Sequence, residues 1–180
     1  MSKTVLVPMA DGTEELEAVT VIDVLRRAGA SVTVASVDGM RVTASRGVML
    51  GADEPIADSG GTTYDLIVLP GGLPGAEHLR DCAILADILK AQAAAGRMIG
   101  AICAAPIVVL KAHGLLPAEA TCHSSFADQL ESAAGAEEAV VVSGTVVTSR
   151  GPLTAMAFAL TLVELLYGEA KRRTVEGAMA

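Results

Sequence analysis

The opening of the chain constrains its fold most. Thr4 to Met9 is a short uncharged apolar run, the signature of a buried strand. Asp11-Gly12-Thr13 then turns the chain, and from Glu14 to Ala28 apolar residues recur at helical spacing: Leu16, Val19, Val21, Ile22, Val24 and Leu25. Gly29 stands where such a helix ends, at the position that favours left-handed backbone. Ser31 to Val37 reads as the next strand. Strand, helix and strand in that order need a right-handed crossover between parallel neighbours, which predicts a parallel sheet with helices on both faces.

The rest of the chain continues the pattern. Met40–Ala44 and Gly47–Leu50 read as a hairpin, and Leu66–Leu69 as a buried strand stopped by Pro70-Gly71-Gly72. A helix is expected from Ala76 to Ala95, a strand from Met98 to Ile102, and a helix from Ala104 to His113. Short strands near Ala120–Cys122, Val140–Ser143 and Val146–Thr148 precede a long helix from Leu153 to Tyr167. No stretch reads as a linker or a repeat, so residues 1–180 are expected to form one doubly wound α/β domain.

Composition narrows the function classes. The chain is 52% hydrophobic but only 2% aromatic, so its core is built from Ala, Val, Leu and Ile. That excludes disorder and counts against stacking platforms for single-stranded nucleic acid. The formal net charge of −8 repels phosphate backbones, so no stable nucleic-acid binding is expected. The longest uncharged apolar stretch, Met98 to Leu110, is interrupted by Pro106 and falls short of the roughly 20 residues of a membrane span. The N-terminal segment lacks the apolar length and cleavage pattern of a signal peptide. Three cysteines, Cys82, Cys103 and Cys122, form neither a disulfide framework nor a CxxC pair, as in a reducing compartment without structural zinc. A soluble cytoplasmic protein is expected, without membrane association.

In doubly wound sheets ligands bind beyond the carboxyl ends of the strands. Cys103 lies there, directly after the strand Met98–Ile102 and before a helix with Pro106 in its first turn. A residue pinned in so sharp a turn resembles a nucleophile elbow, and a helix N-terminus stabilises a thiolate, which predicts a lowered thiol pKa. A buried structural thiol fits the local pattern equally well. Gly71-Gly72 ends the neighbouring strand and offers free backbone N–H groups, either as an oxyanion hole or as a plain tight turn. Glu17 lies one turn into the first helix on the side of Thr13 and Thr20, whereas Glu14 is expected to face solvent; together the acids also complement the helix dipole. His123 follows the expected strand Ala120–Cys122 as a candidate base or as an ordinary surface histidine.

These residues together resemble the DJ-1 branch of the DJ-1/PfpI (ThiJ) superfamily. Asp11-Gly12-Thr13-Glu14-Glu15-Leu16-Glu17 is similar to its G-x-E-E-x-E segment, and Asp65 to Gly72 to its Y-D-x-x-x-L-P-G-G strand and loop. Ala101-Ile102-Cys103-Ala104-Ala105-Pro106 is similar to its A-I-C-A-[GA]-P elbow, and Thr148-Ser149-Arg150-Gly151-Pro152 to its T-S-[RQ]-G-P turn. The resemblance implies a flavodoxin-like fold and a homodimer, with the first helix and the hairpin near the interface. It implies Cys103 as nucleophile and Glu17 as a protonated acid bonded to its sulfur, a neutral carboxyl being able to donate to a thiolate. It further implies an oxyanion site of Gly71, Gly72 and the Ala104 amide, Arg46 and Asp23 pairing across the dimer, Ser149 as a supporting residue, and a variable role for His123. Proteases and heat-shock glyoxalases of the superfamily carry His after the cysteine; Ala104 here points instead to the DJ-1 and bacterial YajL type.

The activity so implied is a cofactor-independent, metal-free conversion of methylglyoxal or glyoxal to lactate or glycolate, or the related deglycation of Cys, Lys and Arg adducts. The alternative is a redox-sensing protective protein or holdase whose Cys103 oxidises to the sulfinate. Cys122, beside His123, is a candidate resolving thiol or a small packing residue. A site made of small residues and backbone amides suits a two- or three-carbon carbonyl compound.

Overall fold

The computed structural model describes residues 2–132, 135 and 137–180. A 7-stranded sheet forms the middle layer, in the order β5-β2-β1-β6-β7-β9-β8. Its strands are β1 (Thr4–Met9), β2 (Ser31–Ser36), β5 (Glu54–Pro55), β6 (Leu66–Leu69), β7 (Met98–Ile102), β8 (Val140–Ser143) and β9 (Val146–Ser149). Every pairing is parallel except the edge hairpin β8–β9. A separate antiparallel hairpin, β3 (Arg41–Thr43) and β4 (Met49–Gly51), stands off the sheet. The fold is the flavodoxin-like α/β architecture expected from the sequence.

Side chains alternate across a strand, so each central strand feeds two cores. Val5, Val7 and Met9 of β1 join one cluster with Val21, Val24 and Leu25 of α1 (Glu15–Arg27) and Phe158 and Leu162 of α4 (Ala155–Tyr167). Leu6 of β1 and Ile67 and Leu69 of β6 join the other, with Leu79 of α2 (Gly75–Asp81) and Leu85 and Leu89 of α3 (Ala83–Ala94). Both faces of the sheet are therefore dry, which is why its strands read as continuous apolar runs. No helix among the described residues is long and apolar enough to cross a membrane.

Four local expectations need correction. The helix drawn from Ala76 to Ala95 is two helices, because Cys82 has extended backbone (ψ 104°) and redirects the chain between α2 and α3. The segment Ala120–Cys122 is buried but joins no ladder. The Thr121 amide donates instead to the Thr148 hydroxyl at 2.9 Å, and the Thr121 hydroxyl to the Glu138 carbonyl at 3.1 Å. Pro106–Lys111 forms a π-helical turn where a plain helix was expected. A further helix, α5 (Glu169–Gly177), follows α4 and buries Val175 in the first core.

Candidate active site

The strand order changes direction beside β1, whose neighbours are β2 on one side and β6 on the other. Such a switch point opens a crevice at the carboxyl ends of the strands. Three chain exits meet there: Asp11–Glu17 after β1, Gly71-Gly72 after β6, and Cys103 after β7.

Glu14, Gly71 and Glu17 bind the first two exits together. The Glu14 carboxylate caps α1 by accepting the Glu17 amide at 2.8 Å, while the Glu14 amide donates to the Gly71 carbonyl at 2.9 Å. The capped first turn aims Glu17 inward, where it is fully buried. One of its oxygens, Oε2, accepts the Gly71 amide at 2.8 Å. The other, Oε1, has no hydrogen-bond partner among the described residues. The Cys103 thiol acts on the Glu17 carboxyl and lowers its pKa against the effect of burial. Gly71 must be glycine: a β-carbon there would stand 2.6 Å from Cys103 Cβ and 2.9 Å from Glu17 Oε2.

Cys103 has φ of 65°, the one positive value among the described non-glycine residues. Backbone in that region costs a non-glycine residue of order 1 kcal/mol, so it has to be held from outside. The Cys103 amide donates to the Ser149 carbonyl at 2.9 Å, and its carbonyl accepts the His123 amide at 2.9 Å. The left-handed turn sets the sulfur near the amides of Gly72 and Ala104, whose partial positive charge favours its ionised form.

The proton balance differs from the expected lowered thiol. Burial pushes the Glu17 carboxyl up to about 7, with the Glu14 charge adding to the rise and the Gly71 amide opposing it. Burial, followed by the charge of an ionised Glu17, pushes the Cys103 thiol up to about 12, against the pull of the two amides. Carboxyl and thiol thus titrate as a pair that gives up one proton near neutrality and holds the second far into alkali. Once the pair has lost one proton the carboxyl is its ionised member and Cys103 keeps its hydrogen; a thiolate forms only when that hydrogen passes to Glu17. The helix end alone does not lower the thiol.

A cleft of about 360 Å³ opens over the sulfur, walled by Glu14, Arg46, Gly72, Leu73, His123 and Phe126 among others. Glu14, expected to face solvent, is part of that wall, and Phe126 adds an aromatic ring to a site expected to hold only small residues. His123 sits on the rim with Nδ1 accepting the Ser125 amide at 3.2 Å, so its neutral ring carries the proton on Nε2. Arg46 belongs to the turn that Glu15 holds through the Ser45 hydroxyl and the Arg46 amide, each at 2.9 Å. Asp23 is not in the cleft; it pairs with Arg27 on α1 at 2.8 Å. The Ser149 hydroxyl points away, to the Ala139 carbonyl at 2.8 Å and the Thr154 hydroxyl at 2.7 Å, so Ser149 serves Cys103 through its backbone. Cys122 is fully buried, with its S–H directed at the His123 carbonyl (3.5 Å), an environment for packing.

Residues 3–165 match the DJ-1/PfpI family. The chain belongs to that family. It is 46% identical over 99% of its length to Protein DJ-1 homolog A of Arabidopsis thaliana, but spans only 46% of that longer relative. Against Protein dj-1beta of Drosophila melanogaster it is 41% identical, covering 97% of this chain and 95% of the relative. Against Glutathione-independent glyoxalase DJR-1.2 of Caenorhabditis elegans it is 38% identical, covering 97% and 93%. Among solved structures, oxidized DJ-1 of Toxoplasma gondii superposes with a TM-score of 0.95 at 47% identity, covering 99% of this chain and 98% of that one.

Proposed function

We propose that this DJ-1 family protein is a cofactor-independent cysteine enzyme acting on α-oxoaldehydes such as methylglyoxal and glyoxal. The observation that carries the reading is the pairing of the buried Glu17 carboxyl with Cys103 at the floor of a cleft, with the amides of Gly72 and Ala104 favouring negative sulfur. The name of the worm relative, a glutathione-independent glyoxalase, supports it.

The Cys103 thiolate attacks the aldehyde carbon, and the aldehyde oxygen takes the Glu17 proton to give a hemithioacetal. The Glu17 carboxylate then removes the hydrogen from that carbon, its electron pair moving to form an enediol. Glu17 returns that proton to the neighbouring carbon while the hydroxyl proton of the first carbon passes to the neighbouring oxygen, which leaves a 2-hydroxy thioester, and water releases the 2-hydroxy acid and the thiol. The aldehyde carbon is oxidised as its neighbour is reduced, so no external oxidant is needed. The amides of Gly72 and Ala104 favour the negative sulfur from which the attack starts. Deglycation of protein adducts draws on the same thiol and acid. Methylglyoxal consumption by the wild type, Cys103→Ser and Glu17→Gln tests the reading: wild-type turnover no faster than Cys103→Ser overturns it.

A redox-sensing or holdase role is the second reading. The same two amides and the Glu17 proton form a cradle for sulfinate oxygens, and the Toxoplasma relative was solved oxidized. Slow turnover combined with ready oxidation of Cys103 would favour it. We also infer a cytoplasmic homodimer. The exposed Leu16 and Val19 of α1 and Val48 and Met49 of the adjoining hairpin supply its apolar contact, and size-exclusion chromatography checks it.

A further inference from the structure

The site holds three glycines, and they differ in kind. Gly71 is required by packing, and Gly72 by its φ of 87°. Gly151 is required by neither. Its backbone is extended (φ 162°, ψ −163°), a conformation open to any residue. A β-carbon there would stand 3.5 Å from His123 Cδ2, 3.9 Å from Cys103 Sγ and 4.0 Å from Glu17 Oε1. Those are ordinary contact distances, so an alanine fits without strain and closes the space over the sulfur and its acid.

That space leads somewhere. Gly151 also lines a second cleft of about 280 Å³, together with Arg150, Leu153 and Thr154. The two clefts share His123 and Pro152, and Gly151, next to Pro152 in the chain, lines the second while a β-carbon on it would reach the sulfur beneath the first. Its position is clamped: the Gly151 amide donates to the Thr154 hydroxyl at 3.1 Å, and that hydroxyl donates to the Gly151 carbonyl at 2.9 Å. The Ser149 hydroxyl holds Thr154 in turn at 2.7 Å. The second cleft offers an apolar end, with Leu153 fully exposed at its mouth.

We propose that Gly151 is a specificity-determining position, whose missing side chain lets the carbon substituent of an α-oxoaldehyde pass from Cys103 into the second cleft. The proposal rests on the α-oxoaldehyde reading, and admits substrates whose group beyond the second carbonyl is larger than a methyl. Removing a methyl-sized space from an apolar pocket changes discrimination by about tenfold or more.

The test compares the wild type with Gly151→Ala in two assays. The first is kcat/KM for phenylglyoxal relative to glyoxal; the second is the rate of Cys103 alkylation by N-phenylmaleimide relative to iodoacetamide. Both ratios are expected to fall about tenfold in Gly151→Ala. Unchanged ratios overturn the proposal. Absence of dicarbonyl turnover in the wild type defeats the enzymatic reading, while the alkylation ratio still decides whether Gly151 controls access. Should Gly151→Ala fail to fold, Thr154→Val releases the clamp without adding bulk over the sulfur. The bulky-to-small alkylation ratio is then expected to rise, and an unchanged ratio overturns the proposal.

Discussion

Two cysteines flank the same histidine and have opposite fates. Burial pushes both thiols up, Cys122 to about 11 and Cys103 to about 12. Cys122 is fully enclosed and aims its S–H at a carbonyl oxygen, and the charge of Asp128 adds to the rise. Cys103 meets Glu17, a carboxyl raised to about 7 that can keep the shared proton, and two amides that favour negative sulfur. Desolvation is common to both; what differs is the carboxyl beside Cys103, on which its proposed reactivity rests.

Five experiments break or sharpen the contrast, beginning with the largest effect. Cys103→Ser is expected to reduce methylglyoxal consumption to the uncatalysed background, while Cys122→Ser retains activity. Mild peroxide followed by intact-mass analysis should add two oxygens at Cys103; a Cys103–Cys122 disulfide would show that the buried thiol is not inert.

Glu17→Gln should lower kcat by about 10²–10⁴-fold, the usual range for an acid–base group. It should also erase the ionisation near neutrality from the pH profile of kcat/KM. The same residue carries a stability signature. Its folded value of about 7 lies above its ordinary 4.5, so its contribution is fully present below pH 4.5 and is lost as pH rises through 7. Over that interval the wild type should lose about 3 kcal/mol relative to Glu17→Gln, at 1.36 kcal/mol per unit of pKa shift. Parallel denaturation curves for the two proteins across this range would refute the assignment.

Gly71→Ala forces a β-carbon against Cys103 Cβ at 2.6 Å and should cost about 1–3 kcal/mol, read from the denaturation midpoint, with a displaced sulfur and lost activity. The smallest effect belongs to Cys122→Ala. Loss of one buried sulfur should cost about 1 kcal/mol and leave methylglyoxal consumption at the wild-type level.

The amino-acid sequence by itself determined the layered α/β architecture, because each central strand is buried on both faces and must be apolar throughout, as in Leu66–Leu69. It also marked Cys103, since a cysteine between an apolar strand and Pro106 occupies a strand-to-helix turn in any such sheet. Local pattern did not reveal the break at Cys82, because the apolar spacing continues through it while the two helices follow different neighbours. Nor did it reveal the coil at Ala120–Cys122, whose apolar character comes from burial rather than strand pairing. Only the tertiary structure decided the chemistry of the site. The closure of Glu17 over Cys103, the turn of Glu14 into the cleft wall and the approach of Gly151 join residues far apart in the chain. Such contacts set desolvation, proton sharing and free space, and none of these is a property of any one segment.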